Sequence, residues 1–212
     1  MENVIIFLQT YLTEIELIVF VSAIFFYIRH MVIHPHFTPH PVTFGIWLIS
    51  DIANYLTYIS FSKYWLGALI MPLGTAIIVV WGIVKLLHAK YKRLKTKKLI
   101  LAWTDYVSVI ISIVGLLIYF TTGNGKLSNI MIQVIIFMGY VSLVGNLIES
   151  KRVDEPILVW TLYCIGWSMV SITTIIGFTS WVELVFPVIN GLIGCAAILV
   201  ITIRNKKRAN RL

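Results

Sequence analysis

Long apolar runs broken by short polar stretches fill the chain. Seven runs can be read: Ile15–Ile33, Val42–Phe61, Trp65–Leu87, Leu99–Thr121, Asn129–Ile148, Ile157–Phe178 and Trp181–Ile203. Each is long enough to cross about 30 Å of hydrocarbon as a helix rising about 1.5 Å per residue. The pattern predicts an all-α, multi-pass integral membrane protein of seven transmembrane helices. No basic stretch precedes the first run and no small-residue cleavage site follows it, so it is not expected to be a cleavable signal. Met1–Glu14, with Glu2 and Glu14, reads as an outer, interfacial lead-in. The chain has no Walker sequence and no GxGxxG turn.

Composition agrees with the pattern. Of 212 residues, 59% are hydrophobic and 12% charged, where a soluble domain carries about 25% charged residues. Little chain is left for a domain outside the membrane. Most cofactor-binding and nucleotide-hydrolysing machinery is thereby excluded, and an enzyme, a cofactor, a metal and catalytic residues are not expected. The net charge of +8 resides at the ends of the apolar runs. Arg29, Lys85, Lys90–Lys98, Lys151, Arg152, Arg204 and Lys206–Arg211 supply 15 of the 17 basic residues, and all fall on one face; Lys63 and Lys126 fall on the other. The positive-inside rule places that face in the cytoplasm, with the N-terminus outside and the C-terminus inside. No aromatic residue beyond Tyr91 is interleaved with the basic runs, so a nucleic-acid partner is not expected. Cys164 and Cys195 lie within apolar runs and read as packed thiols.

The chain also repeats itself. Pro156 lies 115 positions after Pro41, and Pro187 lies 115 after Pro72. The same shift sets His34 over Glu149 and Lys90–Arg93 over Asn205–Arg208, so runs one to three overlay runs five to seven without a gap. The fourth run is left over as a linker. An odd number of helices repeated directly would invert the second copy, and one extra crossing restores its orientation. The expected architecture is two parallel three-helix bundles, residues 1–98 and 129–212, joined by a linker helix and outer loop at 99–128. Pro41 and Pro156 suit helix starts, where a missing N–H costs nothing. Pro72 and Pro187 lie inside their runs and are expected to act as hinges.

This layout, with Pro187-Val-Ile-Asn190-Gly191 in the seventh run, resembles the SWEET and PQ-loop transporter group. The third run keeps a proline and glycine, Pro72-Leu-Gly74-Thr75, without the asparagine of the SWEET pattern, and neither cytoplasmic corner carries Pro-Gln. Pro41-Val-Thr-Phe-Gly-Ile-Trp47 also resembles bacterial membrane proteins of this broad group. The resemblance implies a bacterial plasma-membrane transporter for a small solute, and a homo-oligomer is compatible with it.

Polar groups in hydrocarbon are costly, so each is a candidate functional group. Asp51 lies ten residues beyond Pro41, about 15 Å of rise and near the midplane. Asn54 and Tyr58 follow on the same helical face. Trp160, Tyr163 and Trp167 form an aromatic stripe, while Thr75 and Asn190 each follow a proline by three residues. Asp51, Asn54, Tyr58, Thr75, Tyr163, Trp167 and Asn190 are the candidate solute contacts. The stripe reads equally as packing, and Asn190 as a hydrogen-bonding tie between helices. Asp51 meets no charge at its depth, which fits proton coupling, a contact in a water-filled cavity or a structural hydrogen bond. Asp105 is expected to pair with Arg29. His30, His34, His36 and His40 crowd the first corner, opposite Glu149, Asp154 and Glu155 at the second. They read as solvated loop residues, as a metal-binding set, or, with His34, His36 and Glu149, as a gate.

The expected function is a facilitator or secondary transporter for a small polar, uncharged or zwitterionic solute, working by alternating access. The alternative is a membrane scaffold or receptor that transports nothing. A rhodopsin-like reading would need a Schiff-base lysine in the seventh run, which has none between Trp181 and Ile203.

Overall fold

The computed structural model describes residues 2–59, 65–91, 101–123, 125–151, 153–176, 184 and 186–211. Lys63, Lys92–Lys98, Leu99, Arg152, Phe61, Phe178 and Trp181 lie outside the described residues, as do the side chains of Glu2, Tyr58, Lys90, Lys126 and Asn129. The described residues form seven helices and no strand: α1 (Glu2–Ile33), α2 (Pro41–Ile59), α3 (Trp65–Tyr91), α4 (Trp103–Thr122), α5 (Gly125–Ser150), α6 (Ile157–Ile176) and α7 (Phe186–Ala209). Six of them are long and apolar enough, by length and composition, to cross a membrane. Ile18, Phe25, Ile110, Phe120 and Val200 point outward and are largely exposed. An apolar exterior of this extent is consistent with an integral membrane protein.

The helix boundaries follow from local chemistry. α1 is one helix of 32 residues, and residues 2–14, the expected outer lead-in, form its first turns. Pro41 is the first residue of α2, and Pro156 immediately precedes α6, where its carbonyl accepts from Trp160 N–H. At the start of α4, Asp105 reaches back to accept from Ala102 N–H at 2.8 Å, satisfying a donor that the helix cannot. Gly123 closes α4 at φ 59°, a left-handed conformation that glycine adopts without a Cβ clash. Pro72 lies within α3. The first eight residues of α7, Phe186–Ile193, are π-helical, and the remainder, Gly194–Ala209, is α-helical. Pro187 cannot donate to the backbone ladder, and a π segment is one of the ways a helix absorbs that loss.

Helix neighbours are specific. α1 packs on α6 and α3, α2 on α3, α5 and α4, α4 on α5, and α7 on both α5 and α6. The interior is dominated by aromatic side chains from four helices. Trp47 of α2 stacks near Tyr140 of α5 with ring centres 4.8 Å apart, and Phe20 of α1 meets Trp167 of α6 edge-on at 5.2 Å. Glycines make room for these rings. A Cβ at Gly139 would lie 2.2 Å from Trp47 Nε1, and one at Gly191 would lie 2.2 Å from the Trp167 ring. Where α4 meets α5 the contact is instead made by small residues, Thr104, Ser108, Ser112 and Gly115, which let two backbones approach.

Candidate functional site

Besides the separate polar contacts of Asn190 and Trp160, three groups of polar residues bear on the candidate site. In the first, Thr75 Oγ1 of α3 donates to Asp51 Oδ2 of α2 at 2.8 Å. Thr75 is buried and Asp51 half-buried. The Asp51 carboxyl is within electrostatic range of the phenols of Tyr140 and Tyr163, and the Tyr140 hydroxyl lies 3.5 Å from Cys195 Sγ. α3 thus hydrogen-bonds the acid directly, and α5 and α6 each bring a phenol within its electrostatic range. Trp167 Nε1–H, on α6 one turn beyond Tyr163, is buried and has no hydrogen-bond partner. Asn54 is half-buried on the same helix as Asp51. An acid, phenol hydroxyls and an indole donor among aromatic faces can hydrogen-bond a polar solute while offering no fixed cation.

Asn190 belongs to a different contact. Its Nδ2 donates to the Gln133 carbonyl at 2.9 Å and to Gln133 Oε1 at 2.8 Å, which ties α7 to α5. Both amide hydrogens are used there. Thr75 and Asn190 occupy equal offsets in the sequence, yet one is joined to α2 and the other to α5. Trp160, fully enclosed, donates through Nε1 to Glu155 Oε2 at 3.2 Å. It stands beside Tyr163 at 5.7 Å and Trp47 at 6.3 Å.

The second place corrects an expectation. Asp105 does not pair with Arg29. Its Oδ2 lies 3.4 Å from His40 Nε2, and its Oδ1 accepts from the Ser142 hydroxyl. Thr43 donates to Ser142 Oγ at 3.2 Å and, through its backbone N–H, to His40 Nδ1 at 3.4 Å. The physical reason is topological: α4 packs on α2 and α5, not on α1, and Arg29 points outward. His40 is accordingly no solvated loop residue: its exposure is 0%, and it pins the start of α2 to α4 and α5.

The third place is the facing pair of corners. His30 Nε2 donates to the Asp154 carbonyl oxygen at 2.8 Å, and the rings of His30 and His34 lie 4.3 Å apart. His34, His36, Asp154 and Lys206 line a cavity of about 330 Å³ between the corners. Of the residues expected to form a gate, His34 and His36 are there. Glu149, exposed on α5, is not among the lining residues. Among the described residues no three His, Cys, Asp or Glu side chains are grouped to hold a metal ion.

The structure also identifies residues that the sequence pattern leaves unremarked. Lys85 Nζ donates to three backbone carbonyls, Met31 at 2.7 Å, His34 at 2.9 Å and Phe37 at 2.7 Å. Read by charge it is one more topology signal; in the fold it holds the first corner together. Gln133, a polar residue inside an apolar run, carried the signal that would have flagged it. Compared with known proteins, the chain matches no family model, no curated sequence and no solved structure.

Proposed function

We propose that this chain is a membrane transporter, a facilitator or secondary transporter, that moves a small polar, uncharged or zwitterionic solute in the manner of the SWEET and PQ-loop group. In this reading α1–α3 and α5–α7 are two parallel bundles joined by α4, with the N-terminus outside and the C-terminus in the cytoplasm. The helix neighbours support it. Exchanging α1, α2 and α3 for α5, α6 and α7 turns the α1–α6 contact into α5–α2, α1–α3 into α5–α7, and α2–α3 into α6–α7, and each of these contacts is present. His40 and Glu155, 115 positions apart and each just before a helix-starting proline, are both 0% exposed.

The observation that carries the reading is Asp51. It is an acid within an apolar bundle, held by the Thr75 hydroxyl and within electrostatic range of Tyr140 and Tyr163 from the other half. Such a group is costly in hydrocarbon, and acids kept there characteristically mark the path of a solute or ion. The two halves rocking about this site would expose it alternately, with Pro72 and the π-helical turn at Pro187 as hinges.

The test has two steps. Sugars, nucleosides, vitamins and amino acids are screened for a rise in the thermal midpoint of the purified protein, because a specific binder stabilises by mass action. Uptake of the binder is then measured in proteoliposomes for wild type and Asp51→Asn. In a proton-coupled transporter the variant loses accumulation against a gradient and keeps exchange; in a uniporter it changes affinity alone. A binder that is never taken up, or an Asp51→Asn protein with binding, uptake and pH dependence all intact, overturns the assignment of the site. A scaffold or receptor that transports nothing is the second reading. The use of both Asn190 amide hydrogens by Gln133 favours it; absence of any binder in the screen would select it.

A further inference from the structure

We propose that the outward face of α7 is a binding site for an anionic phospholipid, with the headgroup phosphate held at its last turns and the acyl chains along the turns before them. The two sides of this helix are unlike. On one, Ile198 and Thr202 are fully buried, and Asn205 donates through Nδ2 to the Leu147 carbonyl at 2.9 Å, fixing α7 on the end of α5. On the other, Val200, Ile203, Arg204, Lys207, Arg208 and Arg211 line a groove of about 300 Å³.

The spacing of these residues is helical, so their side chains form one comb. Counting back along the same face from Val200 gives Ile193 and Ile189, both exposed. An apolar lane therefore runs down the helix and ends directly in four cations. Arg204 follows the apolar stretch Gly194–Ile203 of the same helix, so the first cation stands where the apolar part of α7 ends.

Among the described residues no carboxylate lies within ion-pair distance of Arg204, Lys207, Arg208 or Arg211. The guanidinium groups of Arg204, Arg208 and Arg211 can each give a phosphate two parallel hydrogen bonds, while Lys207 offers a mobile point charge. A soluble anion would need only the cations. The exposed lane of Ile189, Ile193 and Val200 leading into them is what specifies a lipid. The juxtamembrane position also suits the negative surface of a membrane leaflet, where each Lys or Arg contributes about 1 kcal/mol of attraction. The inference requires α7 to cross the membrane and is independent of whether the protein transports.

The experiment uses the full-length protein in detergent micelles doped with equal amounts of palmitoyl-oleoyl phosphatidylglycerol and phosphatidylcholine, with retained lipid counted by native mass spectrometry. Wild type is expected to retain phosphatidylglycerol several-fold over phosphatidylcholine. R204Q/R208Q should weaken that retention by about fivefold per cation removed, whereas K92Q/K95Q, with the same change in net charge, should not. Equal losses in the two variants, or no loss in R204Q/R208Q, overturns the site. Two measurements on wild type need no variant. Dihexanoyl phosphatidylglycerol, with the same headgroup and short chains, should be retained less, and glycerol 3-phosphate should not displace the long-chain lipid. Equal retention of the short-chain lipid, or displacement by glycerol 3-phosphate, would make this a soluble-anion site and overturn the lipid assignment.

Discussion

At the scale of single residues, the most consequential side chains act as ties between elements. Lys85 supplies one ammonium to the carbonyls of Met31, His34 and Phe37, groups that the end of α1 and the following corner leave without helical partners. Lys85→Met keeps the aliphatic stem and removes all three bonds. It should lower unfolding stability by about 2 kcal/mol, since charge-assisted hydrogen bonds contribute roughly that order and this site is partly hydrated. Thermal unfolding of the purified protein in detergent reads the effect, and an unchanged midpoint would show that the corner is held by something else. Asp105 makes a sharper contrast. Leaving a buried donor unsatisfied costs about 1–3 kcal/mol, so Asp105→Asn should be destabilising, because one amide oxygen cannot replace the two carboxylate oxygens that accept from the Ser142 hydroxyl and from Ala102 N–H. Arg29→Gln should leave stability unchanged. Comparable losses in the two variants would restore the Asp105–Arg29 pair and contradict the packing of α4 on α2 and α5.

At the scale of elements, α6 and α7 meet through a ring and a missing side chain: Gly191 lies so close to Trp167 that a Cβ would sit 2.2 Å from the indole. Gly191→Ala should therefore cost about 1–3 kcal/mol through overpacking, and wild-type stability in that variant would mean that the two helices separate freely there. The π-helical turn at Pro187 belongs to the same contact. Pro187→Ala restores a backbone N–H and should let Phe186–Ile193 tighten into an α-helix, lowering solute flux more than stability because neighbouring helices still satisfy the backbone. Unchanged flux in both Pro187→Ala and Pro72→Ala removes the hinges from the mechanism. These elements also show where the sequence was legible. Six of the seven apolar runs became helices of membrane-spanning length because hydropathy is a property of each run alone, and α2 formed where its proline placed it. Nothing in residues 2–14 terminates a helix, so α1 runs through the lead-in without a break. Partners were not legible. Asp51 and Thr75, Asn190 and Gln133, and Asp105 and His40 are joined across elements, and periodicity gives the face of a residue without naming the helix opposite it. Asp105 was assigned to Arg29 because depth alone ranks them as neighbours; helix order around the bundle decides otherwise.

At the scale of the whole molecule, the question is which end of the bundle faces the cytoplasm. The described helices bring the α1–α2 corner, the α5–α6 corner and the end of α7 together, since His30 reaches Asp154 and Lys206 lines the cavity between them. One end of the molecule therefore gathers Arg29, Lys85, Lys151 and the cations from Arg204 to Arg211, while the opposite end receives the turn at Gly123. Lys and Arg near helix ends are retained on the cytoplasmic side during insertion, so that end should be cytoplasmic. The expected result is specific for three reporters. A cysteine after Arg211 and one within Lys90–Lys98 should resist an impermeant thiol reagent in intact cells and react once the membrane is opened, and one at Gly123–Asn124 should react in intact cells. Labelling of the Lys90–Lys98 position from outside would reverse the orientation. Labelling of Arg211 and Lys90–Lys98 from opposite sides would break the pairing of α3 with α7 as equivalent helices, and with it the two-bundle architecture on which alternating access at Asp51 depends.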